Sequence, residues 1–305
     1  MLQGDYISTP IIMKTKIYLA YALLSLIWGT TWYALKISLN EGMIPAYAVG
    51  IRFIFGGLIF WLLMLVRKEK LPLSKRAISI YLWFGAFNFG ISYTLTYWGT
   101  QYIYSNLSSI LWASFPIFTT LIAHFYLPDE RLNKKKVFSL LLGILGTVLI
   151  ISQNDSIGGE NVVLGTLVVL LAIIVAAWPN AYLKKYKNVV NTFQLNAVSQ
   201  SIGGIFLFTY AALTKPGPAM IWTQTNILAT IYLIIFGSVL TFSLYFWLFQ
   251  YLTLTQITYV AFFPPIIAIF VGWILLDEQL SALIMVGAIL IILGALLVNY
   301  KRKKN

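Results

Sequence analysis

The chain has 305 residues, of which 60% are hydrophobic and only 10% are charged, and its mean hydropathy is +0.83. Soluble domains carry roughly 25% charged residues. This composition therefore excludes a soluble protein and indicates that most side chains are solvated by lipid. The absence of cysteine excludes disulfides, thiolate metal sites and cysteine nucleophiles.

Ten stretches are apolar and close to the length of about 20 residues that a membrane-spanning helix needs. In chain order they cover 17–37, 46–66, 77–98, 105–126, 136–152, 162–183, 193–213, 227–249, 256–275 and 282–299. Strands of a membrane barrel would alternate over about ten residues, so helices are favoured. The first span lacks a cleavage site and is not a signal peptide. Translation can start at Met1 or Met13.

The basic residues are distributed unevenly between the predicted loops. With both termini in the cytoplasm, 18 lysines and arginines lie inside, Lys36 and Lys215 lie outside, and Arg52 lies within a span. Such an excess of internal positive charge is typical of proteins of the cell membrane. The net charge of +12 is therefore interpreted as a topology signal, and a nucleic-acid partner is not expected.

An internal repeat appears at an offset of 148 residues. The offset superposes residues 113–116 on 261–264, 127–132 on 275–280 and 144–146 on 292–294, with Pro, Asp-Glu and Gly in common register. Each copy holds five spans, and because five is odd, the second copy enters the membrane inverted. Inverted repeats commonly enclose a site near the bilayer midplane. The predicted fold is therefore all-α, with ten transmembrane helices in two inverted five-helix repeats.

The domain boundaries follow from these spans. They comprise a cytoplasmic tail (1–16), a first repeat (17–152), an external linker (153–161), a second repeat (162–300) and a basic cytoplasmic tail (301–305).

The ordered motifs resemble the EamA-like branch of the drug/metabolite transporter superfamily. These motifs are Trp28-Gly29-Thr30 with Lys36, Ile51-Arg52-Phe53, Pro116 followed by 127–132, and Pro264 followed by 275–280, Gly287 and Gly294. The resemblance implies a central cavity and the export or exchange of metabolites such as amino acids, nucleotide-linked sugars, cofactors and drugs. It also implies that a monomer suffices.

Arg52 is the first candidate for binding a solute. It lies about 9 Å inside span two, counted at 1.5 Å per residue, where a charged side chain usually faces protein or a water-filled cavity. It could bind a carboxylate or phosphate, or it could bond backbone carbonyls and reach the interface. Lys36, near the outer end of span one, could assist an anionic solute or anchor the helix at the interface.

Aromatic and polar side chains at depth complete the predicted site. Aromatic walls suit flat or apolar solutes and organic cations, although aromatic residues also form belts at membrane interfaces. Asn88 and Ser92 share a helix face. The predicted solute-binding set is Trp28, Trp32, Lys36, Arg52, Asn88, Ser92, Tyr93, Tyr97 and Trp178.

Three further residues have predicted roles in motion or proton transfer. Pro116 and Pro264 each remove a backbone hydrogen bond, so they form either hinges or fixed kinks. His124, the sole histidine, is either a proton relay or a satisfied polar group at the interface. No acidic residue lies in the middle of a span, which favours facilitated transport or exchange over proton coupling. The Asp-Glu pairs at 129–130 and 277–278 precede spans and are predicted to cap them, with ion coordination as the alternative.

The predicted function is a facilitative or exchange transporter that exports amino acids or related amphipathic compounds, without a metal or cofactor. An intramembrane enzyme is the alternative, but it would need clustered acid–base or nucleophilic groups at depth. A non-transporting membrane protein is another. Alternative solutes are organic cations, drugs or nucleotide-linked metabolites, of which the last should need several deep basic groups.

Overall fold

The protein was analysed as a computed structural model that describes residues 11–126, 133–152, 161–186, 188–214, 221–251 and 259–299. Within these ranges the regular structure is helical. Contiguous helical segments are grouped here as helices α1 to α10.

The first five helices occupy residues 11–151. Their bounds are α1 Ile11–Asn40, α2 Pro45–Val66, α3 residues 75–100, α4 Ser105–Tyr126 and α5 Lys134–Ile151. Local signals explain where several begin. Pro45 is at the first turn of α2, where its missing N–H costs nothing. Ser74 accepts a hydrogen bond from Ala77 N (3.2 Å) at the start of α3, and Asn133 accepts one from Lys136 N (3.0 Å) at the start of α5.

The remaining helices occupy residues 162–299. Their bounds are α6 Val162–Lys185, α7 Thr192–Thr214, α8 residues 224–251, α9 Phe263–Leu276 and α10 Ala282–Asn299. Thr223 caps α8 by accepting from Asn226 N. The 3-10 turn Tyr259–Phe262 leads into α9, and the first residues of the predicted span 256–275 lie outside the described part of the chain. Helix α1 begins at Ile11, within the predicted tail.

Five of the helices are long and apolar enough to cross a membrane by length and composition. They are α2, α4, α6, α7 and the part of α8 from Gln224 to Leu248. Helix α9 and the Ala282–Gly294 part of α10 are apolar but shorter. The chain is thus an all-helical membrane protein.

The irregular segments recur in the two halves. The third helix of the first half contains a π-helical segment at Phe84–Ser92, and α8 contains one at Ile235–Leu240. Moved back by 148 residues, the second segment falls on 87–92, inside the first. Helix α4 is interrupted at residues 113–114, and the junction at Phe262–Phe263 lies at the corresponding place before α9. The departures from regular helix are therefore repeated in the two halves as well.

Packing between the helices follows the same two-fold pattern. Helix α2 packs on α7 and α5 on α10, while α1 contacts α8 and α9 as α6 contacts α3 and α4. Gly146 and Gly287 meet at the α5–α10 crossing, where a Cβ on Gly146 would lie 2.5 Å from the Gly287 carbonyl oxygen. Small residues of this kind allow membrane helices to approach closely.

Candidate functional site

A central cavity with about 140 Å³ of accessible space lies between helices from both halves of the chain. The lining residues come from α1, α2, α3, α4, α6, α8 and α9 and the turn before α9. They are Trp28, Thr31, Trp32, Leu35, Arg52, Phe84, Asn88, Tyr93, Thr96, Ser109, Trp112, Phe115, Asn180, Phe242, Tyr245, Phe246, Ala261 and Pro264.

Arg52 is the charged residue in this lining, and it is 4% exposed. Its Nε donates to Ser238 Oγ (2.8 Å), its Nη1 to Tyr97 Oη (3.2 Å) and its Nη2 to the Gly237 carbonyl oxygen (2.6 Å). A guanidinium has five N–H donors, so two remain for another acceptor. No carboxylate among the described residues forms an ion pair with Arg52.

The π-segment of α8 binds this guanidinium. Ser238 Oγ donates to the Leu233 carbonyl, five residues earlier, as the wider π-turn permits. The Gly237 carbonyl accepts from both Arg52 and Thr241 Oγ1 (2.8 Å). A Cβ on Gly237 would lie 3.1 Å from Arg52 Nη2. The absence of a side chain at Gly237 therefore lets the arginine lie against α8.

Aromatic rings make up half of the lining. The Arg52 guanidinium carbon lies 5.1 Å from the centroid of the Tyr93 ring and 5.3 Å from that of Phe53, within the range of cation–π attraction. Trp28 packs on Tyr245 with 5.5 Å between ring centroids. The cavity thus combines one fixed cation with broad apolar walls, and the described residues that line it include no Asp or Glu.

Two amides form a polar patch on the cavity wall. Asn180 Nδ2 donates to Asn88 Oδ1 (3.3 Å) and to the Ala176 carbonyl (2.9 Å). These bonds leave Asn88 Nδ2 as a donor and Asn180 Oδ1 as an acceptor. The patch can therefore bind either kind of polar group on a solute.

The structure brings together five of the residues predicted to bind solute, namely Trp28, Trp32, Arg52, Asn88 and Tyr93. Tyr97 is fully buried behind the wall and accepts a hydrogen bond from Arg52. Ser92 is also fully buried, and its Oγ has no hydrogen-bond partner among the described residues. Tyr97 and Ser92 therefore lie outside the lining.

Lys36 lies outside the central cavity, in a second recess of about 180 Å³ that Glu278 also lines. Its Nζ donates to the carbonyl oxygens of Ile103 (2.7 Å), Thr100 (2.9 Å) and Gln101 (3.4 Å). All three ammonium hydrogens can be satisfied by these carbonyls. Lys36 therefore holds the end of α3 in this structure.

Glu278 caps a different helix from the one predicted. Its Oε1 accepts from Ser105 N (2.6 Å), and its Oε2 accepts from Ser105 Oγ (2.8 Å) and Asn106 N (3.1 Å). The prediction that it caps the following span is wrong, because α10 is capped by Ser281, whose Oγ accepts from Ile284 N. Residues 129–130, which correspond to 277–278 in the first repeat, lie outside the described residues.

Trp178 and His124 also lie away from the cavity. The Trp178 indole packs on Trp83 (4.7 Å between centroids) and its Nε1 donates to Tyr126 Oη. His124 lies in the last turn of α4, with its ring 5.0 Å from that of Phe125.

The two prolines occupy the interruptions described above. Pro116 is the second residue of the Phe115–Tyr126 segment, and Pro264 is the second residue of α9. Pro264 lines the cavity, as does Phe115 beside Pro116. Both interruptions therefore lie at the cavity wall.

Several residues of the cavity wall were not among those predicted from the sequence. Thr31 and Leu35 could have been found, because they lie three and seven residues after Trp28 and share its helix face. Phe242 and Phe246 belong to an almost uniformly apolar span, where sequence gives no facing signal. Ser238 and Gly237 reach Arg52 because α8 is π-helical there, and no pattern in the sequence indicated a π-segment.

Comparison with known proteins identifies relatives over almost the whole chain. The model of the EamA-like transporter family matches residues 15–152 and again 163–300. An uncharacterized transporter of Bacillus subtilis, YoaV, is 27% identical over 281 residues, which cover 92% of this chain and 95% of the relative. An uncharacterized transporter of Buchnera aphidicola is 30% identical, covering 77% and 78% of the two chains.

More distant relatives include a transporter whose solute is named and a protein of known structure. An S-adenosylmethionine/S-adenosylhomocysteine transporter of Chlamydia muridarum is 22% identical, with coverage of 90% and 89%. A crystal structure with 17% identity superposes with a TM-score of 0.67 over 93% of this chain and 96% of its own, which shows a shared fold. The two matched segments coincide with the two halves of the packing pattern, and the chain belongs to the EamA-like transporter family.

Proposed function

We propose that this membrane transporter carries small amphipathic metabolites that bear a carboxylate, with amino acids as the preferred class. The observation that carries the proposal is the buried Arg52 guanidinium, which lines the cavity with two free N–H donors and no carboxylate partner among the described residues. A buried charge is costly unless it is paired. A solute carboxylate would supply that partner through charge-assisted hydrogen bonds.

The rest of the cavity suits the other parts of an amino acid. Aromatic rings can contact an apolar side chain and can attract an ammonium group through their faces. The free Asn180 Oδ1 can accept a hydrogen bond from the ammonium. A solute with several phosphates would need more cations than the single one in the lining, so it fits less well.

Alternating access is proposed as the mechanism, with the two five-helix halves inverted in the plasma membrane and both termini in the cytoplasm. The two-fold packing pattern supports it, because rocking of inverted repeats exposes a central site to each side in turn. Pro116 and Pro264 are proposed as hinges, since each adjoins both an interruption of its helix and the cavity. One chain supplies the entire lining, so a monomer can transport.

The proposed direction is export by facilitated transport or exchange. The lining contains neither His124 nor an acidic residue, so it supplies no carboxylate or imidazole for proton coupling. The charge distribution between loops supports the membrane orientation.

Uptake into liposomes would test this function. Purified protein would be reconstituted and exposed to labelled amino acids, their amine analogues and S-adenosylmethionine, with and without a pH gradient. We expect saturable uptake of carboxylate-bearing solutes that does not depend on the gradient. Uptake of amines alone would contradict the solute class, and dependence on the gradient would contradict facilitated transport.

A filled-cavity variant shows whether the solute passes through the central cavity. Ala261→Trp adds a large ring to the lining, whereas Ala282→Trp adds one at an exposed position of α10. The first substitution should abolish saturable uptake and the second should leave it intact. Full uptake by the Ala261→Trp protein would place the pathway elsewhere.

A further inference from the structure

A short segment of α4 forms part of the cavity wall and is held by both halves of the chain. Residues Ser105–Trp112 form one helical piece, which packs on α1, α6, α9 and α10. Most of its side chains are buried, and Leu107 is fully enclosed. Glu278 of the second half bonds the N-terminus of the segment through three hydrogen bonds of 2.6–3.1 Å. The backbone that carries the cavity-lining side chains of this segment is therefore fixed.

Ser109 and Trp112 line the cavity from this segment, and each carries a polar atom without a hydrogen bond. Neither Ser109 Oγ nor Trp112 Nε1 has a partner among the described residues, and both atoms are buried. Thr96, which also lines the cavity, differs because its hydroxyl donates to the Ser92 carbonyl one turn earlier (2.9 Å). Serines and threonines inside helices often form such a bond, but Ser109 does not. Both atoms therefore retain their hydrogen-bonding capacity for a ligand.

The two groups together suit an oxygen acceptor. Residues three apart on a helix are neighbours, with about 5–6 Å between their Cβ atoms, so both can bind one group of a solute. An indole N–H can only donate, whereas a hydroxyl can donate or accept. A carbonyl oxygen has two lone pairs and can accept from both. A second carboxylate fits less well, because the described lining holds one cation, Arg52, which is proposed to bind the first.

We propose that Ser109 and Trp112 form a second polar subsite, which binds an uncharged carbonyl oxygen on the solute while Arg52 binds its carboxylate. The proposal rests on the transporter function proposed above and narrows its solute class to amino acids whose side chain ends in a carboxamide or a similar neutral carbonyl group. Both donors are buried in this structure, so the solute reaches them when the Ser109 hydroxyl changes rotamer and the Trp112 ring tilts. Rotamer changes are common on binding, and the new bonds to the carbonyl offset their cost.

Uptake of two amino acids that differ only at the end of the side chain tests the subsite. Glutamine ends in a carboxamide, and homoleucine has the same branched shape with methyl groups in place of the oxygen and nitrogen. Trp112→Phe keeps an aromatic ring and removes the N–H, and Ser109→Ala removes the hydroxyl. The apparent affinity for glutamine should fall about tenfold in Trp112→Phe and about fivefold in Ser109→Ala, as for single lost hydrogen bonds. The affinity for homoleucine should stay within about twofold, because homoleucine forms no hydrogen bond with either group.

Trp98→Phe is the matched control, because Trp98 lies on α3 outside the lining and is 37% exposed. Both affinities should be unchanged in that protein. Retained homoleucine uptake shows that a variant is folded, and if Trp112→Phe loses uptake of both solutes, Ser109→Ala decides. Equal changes for the two amino acids, or an unchanged affinity for glutamine, would overturn the subsite and leave the proposed function in place. Failure of the wild-type protein to take up either amino acid would contradict the proposed amino-acid class, and the subsite with it.

Discussion

Two cations of the helices, the buried Arg52 and the half-buried Lys36, are bonded in different ways. Lys36 directs its ammonium to three carbonyl oxygens, which can use all of its hydrogens. Arg52 is bonded to two hydroxyls and one carbonyl, which leaves two of its five N–H donors, and the residue lines the cavity. Both were predicted to bind solute from the sequence, yet only Arg52 lines the central cavity.

The difference shows that the charge of a residue at membrane depth does not decide its role. The number of donors and the partners that saturate them decide it. The planar guanidinium can be fixed by one set of neighbours and still bind a carboxylate with the rest. The ammonium of Lys36, once it bonds the end of a helix, has no donor left over.

The largest expected effect separates the two cations directly. Arg52→Gln should weaken the apparent affinity for a carboxylate solute on the order of 100-fold, since charged hydrogen bonds contribute about 1.5–3 kcal/mol. Lys36→Gln should leave that affinity within about twofold, because the Lys36 ammonium bonds carbonyls outside the cavity. Concentration-dependent uptake by the two variants measures both. Equal losses of affinity would erase the proposed distinction.

A smaller effect is expected from displacing Arg52 without removing it. Gly237→Ala places a methyl group 3.1 Å from Arg52 Nη2 and should lower the affinity roughly tenfold, at a cost of about 1–2 kcal/mol. Gly143→Ala is the matched control, because its Cβ would meet only the Cδ1 end of the Ile117 side chain. Uptake assays of both proteins should show a lower affinity only for Gly237→Ala. An unchanged affinity in that protein would show that the contact between Arg52 and the π-segment does not matter.

The smallest of these effects concerns a single hydrogen bond to the guanidinium. Ser238→Ala removes the acceptor of Arg52 Nε at 2.8 Å and should reduce the affinity about fivefold, as expected for about 1 kcal/mol. Combined with Arg52→Gln, it should cause no further loss, because Ser238 is proposed to act through Arg52. A double-mutant cycle checks this; strictly additive losses would give Ser238 an independent role.

Composition and repeat predicted much of the fold. The apolar runs located the helices because lipid requires long uninterrupted stretches, and the shared Pro, Asp-Glu and Gly positions located the two family repeats. The interruptions were harder to foresee. A proline indicates a break, but the π-segments in α3 and α8 contain no residue type that demands them.

The site was predicted less completely than the fold. Arg52 stood out because charge is rare at depth, and Trp28, Trp32, Asn88 and Tyr93 followed from depth and resemblance. Trp178 looked equivalent in sequence, but its ring packs on Trp83 between helices. In spans that are apolar on every face, periodicity does not show which side chain faces the cavity. Only the packing of the helices decides that.

The most direct test compares a carboxylate solute with its primary-amide analogue, which has the same size but lacks the negative charge. Uptake of each by the wild-type and Arg52→Gln proteins would be measured over a range of concentrations in liposomes. If Arg52 binds the carboxylate, the wild-type protein prefers the acid strongly, and the variant loses most of that preference while still accepting the amide. An unchanged preference in the variant would contradict the account.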